Sequence, residues 1–333
     1  MFSCIELFSG CGGMALGFEN ADFYHTMIND CNKDCVQTML INRPNWPVVL
    51  GKIQELSFDG MHADVVCGGI PCQPFSQIGL RLGHNDDRGR LFIEFFRCVK
   101  KVNPKVVVIE NVKGILNRSN KKTVEDIVKS FDDNGYNVKH KVLDAQYFMV
   151  PQSRKRVFFI GTRKDISSEF VFPSPDQIHK PTLGDALNGV VSKNGTKYSE
   201  RIRKIMALVP EGGNWKSLPK DMQREVFGEN LYKKIGNQSY SGVARRLSRN
   251  KPSPTILCAV DQKLTSRCHP TEDRPLSCEE CASIQTFPRS WVFFGGKSSI
   301  YRQIGNAVPV NLAYFLALSV RSFLLNSLKN NPV

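Results

Sequence analysis

The feature that most restricts this chain is an apolar run, Val65-Val66-Cys67, that breaks at once into Gly68-Gly69-Ile70-Pro71-Cys72-Gln73-Pro74-Phe75-Ser76. The run is too short for a helix and is closed by glycines and a proline, so it reads as a strand with Cys72 just beyond its carboxyl end. Open α/β sheets build their sites there. The glycines allow a ligand to approach the backbone, and Pro71 and Pro74 stiffen the segment that presents the thiol.

The same strand-then-turn rhythm recurs along the first half. Ser3 to Phe8 is a strand candidate, Ser9-Gly10-Cys11-Gly12-Gly13 a glycine turn, and Met14 begins a helical pattern. Thr26 to Asp30 is a second strand ending in an acid, followed by a helix over Asn32 to Asn42. Asp86 to Phe92 opens a helix with Leu91, Phe95 and Val99 on one face. Lys105 to Ile109 is a continuous apolar run suited to burial on both sides, and it ends in Glu110-Asn111-Val112. Residues 121 to 134 form an amphipathic helix with Val124, Ile127, Val128 and Phe131 inward, stopped by Gly135. Gln152-Ser153-Arg154-Lys155-Arg156 then enters the strand Val157 to Ile160. Strands alternating with helices predict an α/β class and a doubly wound sheet.

Chemistry follows from residue types at strand ends. The glycine turn offers backbone N–H groups and a helix N-terminus to an anionic group, and Asp30, 20 residues on, suits sugar hydroxyls. A carboxylate such as Glu110 at the end of a buried strand is costly unless it is paired or used. Eleven cysteines in an odd, scattered set do not form a secreted disulfide framework. Cys278 and Cys281 have a zinc-like spacing, but Ser277 followed by two acids reads as a helix cap that makes them i, i+3 neighbours, and no metal is expected.

These motifs, in this order, resemble the cytosine-C5 DNA methyltransferases. Gly69 to Ser76 is similar to that family's catalytic loop, Phe8 to Gly13 to its S-adenosylmethionine loop, Glu110-Asn111-Val112 to its second catalytic motif, and Gln152 to Arg156 to its arginine motif. His269-Pro270 through Pro288 and Gln303 to Pro309 are similar to its last two motifs, and Thr255-Ile256 to a mark of its target-recognition region. The resemblance implies an S-adenosylmethionine-dependent, Rossmann-like doubly wound sheet with a second, smaller target-recognition domain. It implies Cys72, Glu110, Arg154 and Arg156 as catalytic residues. For the cofactor, S-adenosyl-L-methionine, it implies Phe8, Ser9, Gly10, Cys11, Gly12, Gly13, Asp30, Ile53, Pro71, Leu91, Asn306 and Ala307. For DNA it implies Gln73, Ser76, Arg88, Gln152, Arg245, Arg246, Arg249 and Thr255. Lys52 stands where the family commonly has an Asp that accepts from adenine, and a lysine cannot accept that bond.

Composition supports the same class. The charge of +14, from 45 basic against 31 acidic residues, suits a polyanionic partner without separating DNA from RNA. There is no run of 18 or more apolar residues and no signal-peptide pattern, so an intracellular, cytoplasmic protein with no membrane role is expected. Prolines and a polar, basic run break the rhythm from about residue 165. This divides the chain into a catalytic domain over 1–165, a target-recognition domain over 166–275 and a segment over 276–333 returning to the first. The expected function is sequence-specific methylation of carbon 5 of a flipped cytosine in double-stranded DNA, as part of a restriction-modification system. The enzyme is expected to be a monomer, with a cognate endonuclease acting on the same site without stable association. A tRNA methyltransferase of the same family and a catalytically silent nucleic-acid binding module are the alternatives.

Overall fold

The computed structural model describes all residues except 71–86, 176–179, 225, 227–231, 233–241, 260–266 and 331–333, and the backbone alone of 87–89 and 330. Its centre is a sheet of seven strands in the order β3-β2-β1-β4-β5-β8-β6. These are β1 (Phe2–Leu7), β2 (Phe23–Asp30), β3 (Val48–Leu50), β4 (Val65–Gly69), β5 (Val106–Val112), β6 (Tyr136–Asp144) and β8 (Lys155–Arg163). β7 (Gln152–Ser153) pairs with β9 (Ser253–Pro254) in a separate two-stranded ladder.

Strands β1 to β5 run parallel, and β8 enters antiparallel between β5 and β6. The expected doubly wound sheet is present, with this one reversed strand. The winding turns at β1 and β4, because β1 leads outward through β2 to β3 while β4 leads the other way through β5. The crevice beyond the carboxyl ends of β1 and β4 is therefore the switch point at which such folds bind ligands.

Helices α1 (Gly13–Asn20), α2 (Lys33–Asn42), α3 (Asp87–Val102) and α4 (Lys121–Asp133) follow the patterns expected for them. Asn32 caps α2, its side chain accepting from the N–H groups of Asp34 and Cys35. One expectation fails on α4. Ile127 and Phe131 are buried, but Val128 is 37% exposed, on the flank of the apolar stripe. The helix Cys278–Ile284 is capped as the sequence predicted, with Ser277 and Glu280 bonding reciprocally, and both of its thiols are buried.

The chain ends in the helix Val310–Asn330, which is apolar and long enough to cross a bilayer by composition but packs against α1 inside the protein. Gly17 sets that packing distance. A Cβ placed there would lie 2.4 Å from the Ala313 Cβ and 2.8 Å from the Val310 carbonyl oxygen. Gly17→Ala is expected to destabilise the fold by roughly 1–3 kcal/mol through overpacking, read as a lower urea midpoint with an unchanged slope. An unchanged midpoint would mean that the two helices separate freely.

Candidate active site

Four carboxyl-end segments converge at the switch point. After β1, Phe8 takes φ 56° and Gly10 and Gly12 take φ 57° and 85°, which turns the chain sharply into α1. The Gly10 N–H donates to Asp30 Oδ2 at 2.8 Å, while Asp30 Oδ1 accepts from the Asn32 N–H at 2.8 Å. Asp30 thus ties the glycine turn to the start of α2, and burial raises its pKa against the pull of these N–H donors. The side chains of Ser9 and Cys11 face inward, donating to the carbonyl oxygens of Asn29 and Gln303 respectively. What the turn offers a ligand is its backbone. Ile53 is buried and Leu91 half-buried in the apolar cluster that also receives Phe8.

The second pair of segments brings acid and base together. Glu110 lies beside Gly69 across the β4–β5 ladder, and a Cβ on Gly69 would stand 3.0 Å from Glu110 Oε2. Arg156 Nε meets Glu110 Oε1 at 3.0 Å, each side chain being 13% exposed. Burial pushes the Glu110 carboxyl pKa upward, and Arg156 and then Arg154 pull it back. A carboxyl so balanced is suited to trading a proton. Asn111 Nδ2 donates to the Ile70 carbonyl at 3.2 Å and so fixes the root of the Cys72 segment beside Glu110. Pro71, Cys72, Gln73 and Ser76 lie outside the described residues, as does the side chain of Arg88.

The arginine motif divides its labour. Arg154 is 1% exposed, and its Nη2 donates to the carbonyls of Gly305 and Ala307 at 2.8 and 3.0 Å. Gln152 is fully buried, donating to Gln285 Oε1 at 2.9 Å and accepting from the Ile256 N–H at 3.1 Å. Gln285 Nε2 in turn donates to the carbonyls of Ile304 and Ala307. These bonds join four segments far apart in sequence. Gln152 and Arg154 both lie away from solvent, Gln152 with its amide engaged and Arg154 with Nη2 spent on carbonyls while its Nε has no partner among the described residues. Arg156 alone of the motif faces the acid.

The basic run is split between interior and surface. Arg246 is buried, with its guanidinium donating to the carbonyls of Met206, Val209, His269 and Glu272 and paired with Asp273. Its donors hold the second half of the chain together and cannot meet a phosphate. Arg245 is half-buried, and Arg249 is exposed and paired with Glu211. Thr255 donates its hydroxyl to the Ser153 carbonyl, continuing the β7–β9 ladder. Asn306 is exposed, and Ala307 abuts the glycine turn, its Cβ 3.2 Å from where a Gly13 Cβ would stand.

Sequence reasoning missed Glu6. It sits on β1, fully buried, and neither carboxylate oxygen has a hydrogen-bond partner among the described residues. Burial, then the neighbouring Cys4 and Asp30, drive its pKa well above the ordinary range. An acid in a strand flanked by apolar residues carries no signal beyond its own oddity.

The family model for C-5 cytosine-specific DNA methylases matches residues 2–322. The chain belongs to that family. It is 43% identical to the Type II methyltransferase M.Eco47II of Escherichia coli, over 96% of this chain and 79% of that protein. It is 40% identical to M.Sau96I of Staphylococcus aureus, over 97% and 76%. In fold it matches a putative DNA modification methyltransferase of an Escherichia coli prophage with TM-score 0.72 and 23% identity, covering 98% of this chain and all of that one. It is accordingly a DNA cytosine-5-methyltransferase, of the kind found in restriction-modification systems, and S-adenosylmethionine is its methyl donor.

The residues present fit that donor. The orphaned Glu6 carboxylate, on the strand that leads into the glycine turn, suits a ligand that carries a positive charge. A carboxyl whose folded pKa exceeds its unfolded one stabilises the fold fully only below the unfolded value and loses that contribution as pH rises through the folded value. Glu6→Gln is therefore expected to raise the unfolding temperature of the ligand-free protein more at pH 8 than at pH 5, while weakening S-adenosylhomocysteine binding. A variant less stable than wild type at pH 8 would show that Glu6 has an unseen partner.

Proposed function

We propose that this enzyme methylates carbon 5 of a cytosine flipped out of double-stranded DNA at one short recognition sequence, through a covalent adduct with Cys72. The observation that carries the reading is the Glu110–Arg156 pair, standing beside Ile70 at the root of the Cys72 segment. The sequence that resembles the family's catalytic loop runs on directly from Ile70 through Pro71 to Cys72.

Carbon 5 of cytosine is too weak a nucleophile to take a methyl group unaided. The Cys72 thiolate adds to carbon 6, and electron density moves towards carbon 5. Glu110 gives a proton to ring nitrogen 3 as the adduct forms, and Arg156 holds the carbonyl oxygen at carbon 2. The glycine turn with Asp30, Ile53, Leu91 and Asn306 would hold S-adenosylmethionine, which would supply an electrophilic methyl group for carbon 5. Return of the nitrogen 3 proton to the Glu110 carboxylate, loss of the carbon 5 proton to a base and expulsion of the thiolate then restore the ring. A free thiol has a pKa of about 8.5, so the cationic surroundings favour the reactive anion.

The target atoms lie inside a duplex, and extruding the base costs a few kcal/mol that contacts with DNA must offset. Residues 166–275 supply those contacts as a target-recognition domain, with Arg245 and Arg249 on phosphates. The Type II names of the relatives favour DNA over tRNA and favour a cognate endonuclease that shares the site without stable association. The enzyme acts as a monomer.

Cys72→Ser is expected to abolish methylation while leaving DNA binding. Bisulfite sequencing of plasmid DNA from a host without cytosine methylation should then show protected cytosines at one motif with the wild type and none with the variant. Full protection by the variant would contradict the adduct.

A further inference from the structure

Asn306 lies between two anchored neighbours. The carbonyls of Gly305 and Ala307 are held by Arg154, and those of Ile304 and Ala307 by Gln285. On one side Ala307 and Val308 press against Gly13 of the glycine turn, where an added Cβ would stand 3.2 Å from the Ala307 Cβ and 2.4 Å from the Val308 carbonyl oxygen. On the other, Arg154 shares the field of Glu110 and Arg156. The backbone of Asn306 is therefore fixed where the glycine turn and the acid–arginine pair adjoin, and only its side-chain torsions are free.

Those torsions are set from the far segment. The Cys258 thiol donates to Asn306 Oδ1 at 2.9 Å, with both residues exposed. Independently, the two backbones touch. A Cβ on Gly305 would stand 2.6 Å from the Cys258 Cα and 2.8 Å from both the Cys258 nitrogen and the Leu257 carbonyl oxygen, so no side chain fits between them. With its oxygen engaged, the exposed Asn306 amide keeps its two N–H donors for a further partner.

We infer that Cys258 is a positioning residue that orients the Asn306 amide as a donor to the anionic end of the methyl-donor cofactor. The inference rests on the function proposed above and adds to it a link. A segment within the recognition region, Thr255 to Cys258, thereby also sets the geometry of the cofactor pocket.

The test compares Cys258→Ala, Cys258→Ser, Asn306→Ala and the Cys258→Ala/Asn306→Ala double variant by calorimetric binding of S-adenosylhomocysteine and by methylation kinetics on plasmid DNA. Losing one hydrogen bond to Asn306 should raise the Kd of S-adenosylhomocysteine and the KM of S-adenosylmethionine about two- to tenfold in Cys258→Ala, with the KM for DNA unchanged. Cys258→Ser, whose hydroxyl can donate to the same oxygen, should restore most of the affinity. The double variant should be no worse than Asn306→Ala alone.

Wild-type affinity in Cys258→Ala, failure of serine to rescue, or additive losses would each overturn the inference. A shift in unfolding temperature shared by Cys258→Ala and Cys258→Ser would also overturn it, by assigning the thiol to packing. Failure of the underlying function looks different, because the wild type itself would then bind no S-adenosylhomocysteine or leave no methylated cytosine.

Discussion

A single buried guanidinium decides where the end of the chain goes. Arg154 leaves the start of β8 and meets the carbonyls of Gly305 and Ala307, more than 150 residues away along the chain, at 2.8 and 3.0 Å. A cation taken out of water is costly unless donors are met, and the C-terminal end of the helix Lys297–Asn306 offers Arg154 Nη2 carbonyls that its own helix leaves open. Gln152 and Gln285 complete the same arrangement with uncharged amides, and the Ile256 N–H joins it from the recognition side. Glycine turn, acid–arginine pair and C-terminal motif stay in register because this polar brace allows no sliding. Removing one partner would strand the others in the interior, where each unmet group costs about 1–3 kcal/mol.

Position along the strand separates the two arginines. Arg156, two residues on from Arg154, reaches Glu110 across the β5–β8 ladder, where Val112 is its direct partner and Glu110 the next residue on the same face. The pairing keeps Glu110 from being simply a buried acid. Desolvation raises its pKa and the guanidinium lowers it, leaving a carboxyl that can hold a proton without being locked in either state.

Much of this was legible in the sequence. The apolar runs at Val65, Val106 and Val157 identified strands, the one at Val106 as buried on both faces; the glycine turn at 10–13 and the helix stop at Gly135 were read as such and take positive φ at Gly10, Gly12 and Gly135, and Ser277 announced a helix start. Glu110 was legible because an acid ending an apolar run has few bland explanations. The roles of Gln152, Arg154 and Arg246 were not. Polar and basic side chains read locally as surface, and their burial follows from carbonyls contributed by residues 206 to 307, which no local pattern connects to them. Glu6 escaped for the reverse reason: it belongs to a strand whose neighbours are all buried, and only the lack of a partner for its oxygens distinguishes it.

The claim on which the rest turns is that Arg154 builds the site while Arg156 works in it. Replacing each in turn by methionine, and recording the unfolding temperature together with the turnover of the folded fraction on plasmid DNA, tests this directly. Arg154→Met should lower the unfolding temperature by several degrees and lose cofactor affinity with it. Arg156→Met should keep most of the wild-type unfolding temperature and cofactor affinity while losing at least a hundredfold in turnover, the scale of one removed charge-stabilising donor, about 10²–10³. Equal destabilisation by both, or full turnover in Arg156→Met, would contradict the account.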